Sequence, residues 1–386
     1  MAAVWRRVCR GRRGGYPAGV LESGGRLSGV ARIAVLRANA IGDFLFALPA
    51  LEALRAAYPG AEIVLLGADW HAGFLAGRPG PVDRVVPVPP SRGIREPPAG
   101  EMEDPALLDA FFKAMQEERF DLAVQLHGGG RWSNPFLRRL GARWTVGLST
   151  RDAEPLDREV RYAFYQPEVV RFLEVVALVG AEPVGLEPRI TLLDRDRAEA
   201  TAALAGLDGP VVALHPGARD GRRRWPAEHF AAVGDGLAGR GARLVVTGAA
   251  AERAVVAEVI ERMRQPAAPL VDAVSIGGLA ALYAGCAVLV SNDTGPRHLA
   301  AAVGAASVGI YWCGNLVNYG PLTRGRQRVH VSWTVHCPVC GAPATEPELP
   351  APHRGRRCEH DESFVASVDP GAVLADAAEL LGAADS

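Results

Sequence analysis

The 386-residue sequence has very little lysine and few cysteines, and it lacks a long apolar run. Lys113 is the only lysine among 42 basic residues. This suggests a GC-rich coding bias, which can also place arginine at a position where the chemistry usually calls for lysine. Six cysteines are too few for a disulfide scaffold of this length, and a cytoplasmic location is expected. No apolar run approaches the roughly 18 residues that span a bilayer.

The net charge and the absence of one motif exclude a class of partner and a class of cofactor. The formal net charge is −1, so no overall field favours nucleic acid, and no nucleic-acid partner is expected. No GxGxxG fingerprint follows the first predicted strand, and no redox cofactor is expected.

Residues 1–30 are rich in Arg and Gly, with one acid, Glu22. We interpret them as a disordered basic leader, with a transit peptide or an arm for an anionic surface as the alternative.

Strand-like and helix-like segments alternate from Arg32 onward, and the pattern restarts near Val211. Continuous apolar strands separated by helices indicate parallel sheets covered on both faces. The predicted strands are 32–37, 61–67, 82–88, 121–127 and 144–148, then 211–217, 243–248, 269–274, 287–293 and 307–312. We therefore expect an N-terminal α/β domain over residues 31–188, a C-terminal α/β domain over 189–368 and a last helix over 369–386. Both domains are expected to be doubly wound, with ligands at the carboxyl ends of strands in the cleft between them.

The stretch VLVSNDTGPRHLAAAVG, residues 288–304, places polar groups where a buried strand meets a helix. Asp293, Thr294 and Gly295 precede the helix, and His298 lies in its first turn. A helix N-terminus offers unpaired N–H groups and the positive end of a dipole, which suit a phosphate or diphosphate. Simple capping of the helix by Asp293 or Thr294 is the alternative.

The stretch HPGARDGRRRWPAEHF, residues 215–230, repeats this arrangement after another strand. It contains His215, Gly217 and the arginine triplet around Arg223. Arginine binds phosphate oxygens through paired hydrogen bonds, so a second phosphate-binding loop is predicted. A solvated run of charges is the alternative.

A third stretch, RANAIGDFLFALPALEAL, covers residues 37–54 and follows the first strand. Asp43 lies at the start of the next helix. From its spacing alone it is either a helix cap or a general base at the mouth of the cleft.

Together with the strand–GAxxE segment that ends at Glu252, these stretches resemble glycosyltransferase family 9, the heptosyltransferases of lipopolysaccharide core assembly and their relatives. The resemblance runs from about Arg32 to Leu381, and the combination of four blocks is specific although each block alone is weak. It implies a two-domain GT-B architecture. It also implies a nucleotide-diphosphate sugar as donor, used without a metal, and no cofactor is expected.

The resemblance also implies roles. Asp43 matches the family's catalytic base, which takes the proton from the acceptor hydroxyl. Arg223 lies where the family usually has a lysine that neutralises the leaving diphosphate, so a point charge is replaced by a planar fork of the same charge. The implied reaction is an inverting displacement at the anomeric carbon. Glu252 matches the acid that binds the ribose, and the full donor-binding set is His215, Gly217, Arg223, Glu252, Asp293, Thr294, Gly295 and His298.

Two further segments carry weaker predictions. LHGGGRWSNPFLRRLGARW, residues 126–144, resembles the family's loop for an anionic acceptor, with Arg131 as the expected contact and a solvated helix face as the alternative. Cys337, Cys340, Cys358 and either His360 or His336 have the side chains of a tetrahedral zinc site. Because one CxxC with one CxH is weaker than paired CxxC motifs, reduced structural thiols are preferred and no metal ligand is assigned.

The sequence therefore predicts an inverting glycosyltransferase that moves a sugar, with heptose as the example, from a nucleotide-diphosphate donor to a cell-envelope glycan such as lipopolysaccharide core. We expect a cytoplasmic monomer with an anionic glycan or glycolipid acceptor, and peripheral association with the inner face of the plasma membrane stays open. The alternatives are a sugar-nucleotide epimerase, a phosphorylase or a non-catalytic nucleotide-binding protein.

Overall fold

The computed structural model describes residues 25–96, 102–345 and 359–383, which contain two parallel six-stranded sheets. The first half of the chain contributes β1 (Arg32–Leu36), α1 (Ile41–Ala57), β2 (Glu62–Gly67), α2 (Asp69–Leu75), β3 (Arg84–Pro87), α3 (Pro105–Glu117), β4 (Leu122–Gln125), α4 (Ser133–Arg138), β5 (Trp144–Ser149), β6 (Arg158–Arg161) and α5 (Glu168–Ala177).

The second half repeats the pattern. It contains α6 (Asp194–Ala203), β7 (Val211–His215), α7 (Ala227–Ala238), β8 (Arg243–Gly248), α8 (Arg253–Arg262), β9 (Ala267–Val271), α9 (Ile276–Gly285), β10 (Val288–Asn292), α10 (Gly295–Ala302), β11 (Ser307–Trp312), α11 (Cys313–Tyr319), β12 (Gln327–Ser332) and α12 (Pro370–Gly382). Two short 3₁₀ turns, Gly221–Arg223 and Ala250–Glu252, follow β7 and β8.

Both sheets reverse their strand order at one point. The first sheet runs β3-β2-β1-β4-β5-β6, and the second runs β12-β11-β10-β7-β8-β9. The connections leave in opposite directions from β1 and β4, and likewise from β7 and β10. Ligands of doubly wound sheets bind outside the carboxyl ends of strands at such a reversal. The topology therefore points to the loops after these four strands.

The central strands are apolar on both faces because helices cover both faces. On β1, Ile33 and Val35 pack into one core cluster, while Ala34 and Leu36 pack into the cluster on the other side. All four side chains are fully buried. This packing explains why the strands read as continuous apolar runs rather than as an alternating pattern.

Every predicted strand is present, but the sequence prediction omitted β6 and β12. Both are the outermost strands of their sheets at one side. Their sequences, REVR and QRVHVS, are largely polar because an edge strand is covered less completely than a central one. An apolar run therefore marks the central strands and the edge strands β3 and β9, but not the polar edge strands β6 and β12.

The described part of the predicted leader, residues 25–30, is packed against the first domain. Leu27 N donates to the Tyr58 hydroxyl at 3.0 Å, and the Arg26 guanidinium lies 5.1 Å from the centre of the Tyr58 ring. The leader prediction is therefore wrong for these six residues, whose contacts are long-range and invisible in a local pattern. Residues 1–24 lie outside the described residues.

The last helix, α12, packs on the second domain. Val373, Ala377 and Leu380 share a core cluster with Val233 and Leu237 of α7. The domain limits at residues 188 and 368 stay predictions. Within the described part of the chain, no helix combines the length and apolar composition needed to cross a membrane.

Candidate active site

Asp43 lies in the first turn of α1, directly after β1, and its side chain is 36% exposed. Ala40 is the N-cap residue of this helix. The buried Arg37 contacts Asp43 through two atoms. Arg37 Nη2 lies 3.2 Å from Asp43 Oδ1, and Arg37 Nε donates to the Asp43 backbone carbonyl at 2.9 Å. This geometry favours an oriented carboxylate at the cleft over a helix cap.

Arg37 belongs to a buried set of alternating charges that the sequence analysis missed. Its Nη1 donates to the Leu126 carbonyl at 2.7 Å, and its Nη2 lies 3.7 Å from Glu168 Oε2. Glu168 in turn pairs with Arg171, which is 1% exposed. A buried charge is tolerated when it is paired and hydrogen-bonded, so this set fixes the Arg37 guanidinium beneath Asp43.

Asp293 is buried at the end of β10 and is surrounded by hydrogen-bond donors. His298 Nε2 lies 3.2 Å from Oδ1, and Asn315 Nδ2 donates to Oδ2 at 3.0 Å. Arg223 Nη1 lies 3.7 Å from Oδ2 and 3.4 Å from the Asp293 carbonyl. The two predicted phosphate-binding loops therefore meet at this carboxylate.

The protonation states of this cluster follow from its surroundings. Burial opposes ionisation of Asp293, but the His298 hydrogen bond and the Arg223 charge outweigh it, so the pKa of Asp293 is lowered. Burial lowers the pKa of His298, and the hydrogen bond to Asp293 opposes this only in part. An ionised Asp293 therefore accepts a hydrogen bond from a neutral His298 that carries its proton on Nε2.

Thr294 is the N-cap residue of α10, but its side chain makes no capping hydrogen bond. Pro296, in the first turn, has no N–H to satisfy. Arg223 Nε, on the facing loop, finds no hydrogen-bond partner among the described residues. The Thr294 hydroxyl and the Arg223 guanidinium therefore lie where the sequence analysis predicts the donor diphosphate.

The other predicted donor residues form a second group beside the first. His215, at the end of β7, has its Nδ1 3.0 Å from the Thr247 hydroxyl and its Nε2 3.7 Å from Glu252 Oε2. Burial lowers the pKa of His215, so the imidazole stays neutral behind the Glu252 carboxylate. A side chain at Gly217 would collide with the Glu252 carboxylate, so glycine lets this acid lie on the loop.

Asn292 is a structural link that the sequence analysis missed. Its Oδ1 accepts from Trp225 N at 3.0 Å, and its Nδ2 donates to the Pro216 carbonyl at 2.8 Å. The amide therefore joins the end of β10 to both ends of the arginine loop. Its position in the polar run Ser291-Asn292-Asp293 was a signal for it, but the sequence analysis assigned a role to Asp293 and none to Asn292.

The two domains meet directly at this point. A Cβ atom at Gly42 would lie 3.2 Å from His298 Cδ2 and 3.3 Å from Gly295 Cα, so the first turns of α1 and α10 are in close contact. Phe46, one turn along α1, has its ring centre 4.6 Å from that of His298. Asp43 and the Asp293 cluster therefore lie on the two walls of one cleft.

Comparison with known proteins identifies the family. Residues 108–341 match the model of glycosyltransferase family 9 (heptosyltransferase). The chain belongs to glycosyltransferase family 9. It is 25% identical over 297 residues to lipooligosaccharide heptosyltransferase 2 of Haemophilus influenzae, covering 72% of this chain and 82% of that protein. It is 28% identical over 301 residues to lipopolysaccharide heptosyltransferase 1 of Escherichia coli K12, covering 72% and 87%.

A solved structure shares the fold. The E. coli ADP-heptose lps heptosyltransferase II superposes with a TM-score of 0.71 at 18% identity, covering 92% of this chain and 100% of that one. The predicted GT-B fold class and the assignment as a glycosyltransferase are confirmed. Family membership does not favour the epimerase, phosphorylase and non-catalytic alternatives.

For a family 9 glycosyltransferase, the arrangement supplies one carboxylate on the first domain and a cationic, donor-rich loop pair on the second. Asp43 is placed to accept a proton, and Arg223 with the α10 N-terminus is placed to hold negative charge. A base on one side and anion stabilisation on the other are the two requirements of direct displacement at a sugar carbon.

Arg131 lies apart from the residues described above. It lies in the loop after β4, at the carboxyl edge of the first sheet, and its side chain is 60% exposed. It lies 3.6 Å from Asp152, and its guanidinium lies 5.2 Å from the centre of the Trp132 ring. Among the described residues, no recorded contact joins it to Asp43 or to the donor loops. Its role with the acceptor stays a prediction.

Proposed function

We propose that this glycosyltransferase moves a heptose from ADP-heptose to a lipopolysaccharide core acceptor. The names of its relatives supply the sugar, the nucleotide and the acceptor class. The observation that carries the proposal is the approach of the α1 first turn, with Asp43, to the α10 first turn, with its Asp293 cluster. Binding groups for the donor and a base for the acceptor then face the same reacting carbon.

In this mechanism the Asp43 carboxylate takes the proton of the acceptor hydroxyl. The acceptor oxygen forms a bond to the anomeric carbon as the bond from that carbon to the diphosphate oxygen breaks. The configuration inverts because attack and departure occur on opposite faces. Arg37 holds Asp43 in place at 3.2 Å, and the buried set beneath it prevents the guanidinium from moving away.

The leaving ADP is held by the second domain. The Arg223 guanidinium, the Thr294 hydroxyl and the first N–H groups of α10 stabilise the diphosphate charge. Glu252 binds the ribose hydroxyls, and His215 acts through Glu252, which it contacts from the buried side. Asp293 serves as a positioning residue, since its carboxylate orients His298, Asn315 and Arg223.

The acceptor side is proposed on fewer contacts. Arg131, in its exposed position, binds a phosphate or carboxylate of the acceptor in exchange for Asp152. A glycolipid acceptor also brings the enzyme to the inner face of the plasma membrane as a peripheral protein. The monomeric state stays a prediction.

Calorimetric titration with ADP, UDP, GDP and dTDP tests the donor site. We expect selective binding of ADP, lost in a Thr294→Ala/Glu252→Ala variant because that variant lacks both the hydroxyl and the ribose-binding carboxylate. Mass spectrometry should then show one heptose added to heptose-free lipopolysaccharide core, with ADP released.

The matched control is Thr201→Ala/Glu258→Ala, which removes the same groups from exposed positions of α6 and α8. It should bind ADP like the wild type. A folded wild-type protein that binds none of the four nucleotides would contradict the donor site. Selective binding of another nucleotide would keep the site and overturn the ADP assignment.

A further inference from the structure

Three side chains of metal-ligand type gather beyond β12, outside the cleft. The ligand atoms of Cys337, Cys340 and His360 lie within 4.8 Å of one another, and Cys337 Sγ is 3.8 Å from His360 Nδ1. In a tetrahedral zinc site with bonds of about 2.3 Å to sulfur and 2.0–2.1 Å to nitrogen, the sulfur and nitrogen atoms are about 3.6 Å apart. The observed spacing is close to that of an assembled site.

The two cysteines lie on a tight turn that points their sulfur atoms toward the histidine. Gly341 N donates to the Cys337 carbonyl at 2.9 Å, and Cys337 N donates to the Ala342 carbonyl at 2.9 Å. Val339 N donates to Cys337 Sγ at 3.4 Å. A backbone N–H that points at sulfur orients the sulfur as a ligand.

We propose that Cys337, Cys340 and His360 bind a thiophilic transition-metal ion of the Zn²⁺ class as three of its ligands. Two thiolates and one imidazole are a ligand set that suits zinc, and the CxxC spacing is that of structural zinc sites. Binding releases the two thiol protons. The sequence alone favoured reduced thiols because it does not show that His360 lies beside the two cysteines. His336, the alternative ligand from the sequence, is not in the cluster, and Cys358 lies outside the described residues.

The site has a consequence for the cleft, and this step rests on the proposed function. The chain that follows His360 packs on the arginine turn: Phe364 N donates to the Arg222 carbonyl at 2.7 Å, and Asp361 lies against Gly221. The Phe364 ring also packs edge to face on Trp312 at 5.4 Å. An ion at the cluster fixes this segment, which in turn supports the turn that presents Arg223 to the donor.

Metal analysis of the purified full-length protein tests the site. After dialysis against Zn²⁺ and then metal-free buffer, mass spectrometry should find about one ion per chain in the wild type, and far less in Cys337→Ser and His360→Asn. The controls Cys286→Ala and His336→Asn, a cysteine and a histidine outside the cluster, should keep the ion. Retention of the ion by His360→Asn, or a folded wild type that binds neither zinc nor iron, would overturn the proposal.

A second measurement needs no variant that might misfold. Co²⁺ added to the metal-free wild type should give the visible and thiolate charge-transfer absorption of a tetrahedral sulfur site, which added Zn²⁺ abolishes. A spectrum of octahedral Co²⁺ without a thiolate band would count against the two cysteine ligands.

ADP affinity measured with and without the metal tests the link to the cleft separately. Removal by a chelator should raise the Kd for ADP several-fold, and Zn²⁺ should restore it. An unchanged Kd would leave the metal site standing and overturn its support of Arg223. Failure of the wild type to bind ADP at all would count against the proposed function, while metal content would still decide the site.

Discussion

Arg37 shows at the scale of one residue how the Asp43 carboxylate is held in this cleft. Its guanidinium is 3% exposed and contacts the Asp43 carboxylate, the Asp43 carbonyl and the Leu126 carbonyl. The planar guanidinium presents its donors to these three acceptors in one fixed geometry, whereas a lysine ammonium is a single rotatable point charge. The Asp43 carboxylate is therefore held in one orientation.

Asp43→Asn should remove the base and keep the shape of the site. We expect kcat to fall by about a hundred- to ten-thousandfold, the range for loss of a general base, with an unchanged Kd for ADP. Glu52→Gln, which neutralises another carboxyl on α1, is the control and should retain activity. Initial rates of heptose transfer and calorimetry give the two numbers. Equal losses in both variants, or a loss of ADP binding in Asp43→Asn, would argue against Asp43 as the base.

At the scale of elements, the N-termini of α1 and α10 lie face to face. Glycines at positions 42 and 295 make this approach feasible, because a Cβ atom at either position would press on the other helix. The positive end of each helix dipole therefore lies near this contact between the two domains.

Gly42→Val should separate the two first turns. The added side chain meets His298 and Gly295 at distances shorter than normal packing allows, so the domains open slightly. We expect kcat/KM to fall by about tenfold to a hundredfold, the cost of misplacing reacting groups by about an ångström.

The control is Gly285→Val at the end of α9, where an added Cβ finds no atom within 4 Å. It should leave the transfer rate intact, and thermal unfolding should show that both variants are folded. A wild-type rate in Gly42→Val would mean that the observed closure is not the reactive one.

At the scale of the whole molecule, buried histidines link the stability of the first domain to pH. Burial, with the nearby charge of Arg37, lowers the pKa of His71 to about 4 and that of His127 to about 3. In the unfolded chain each takes up a proton near pH 6.5. The unfolded state then binds more protons below that pH, so the free energy of unfolding falls as the pH decreases from about 6.5 toward 4.

Urea unfolding at pH 7.5 and pH 5.0 measures this effect. We expect each of the two imidazoles to lower the free energy of unfolding by about 2 kcal/mol between these conditions. His71→Gln should remove its share of the difference. Trp70→Leu disturbs the same packing without removing a titrating group, and should keep the full difference when unfolding is followed by circular dichroism. An identical difference in His71→Gln and wild type would show that His71 does not carry the effect.

The sequence by itself determined the central strands, the helices between them and the loops that carry the site. These are local features: an apolar run marks a strand covered on both faces, and a cluster of polar residues at its end marks a ligand loop. Asp43, Arg223 and Asp293 were predicted in this way, the resemblance to family 9 supplied their roles, and those roles stay predictions. The polar edge strands β6 and β12 had no such signal.

Only the tertiary structure decided which of these groups lie together. The approach of Gly42 to His298, the buried charges beneath Asp43 and the Asn292 link between two loops join residues far apart in the chain. The position of His360, rather than His336, beside Cys337 is of the same kind. Such contacts depend on how the two sheets are wound and packed, and a pattern that repeats every two or four residues carries no record of them.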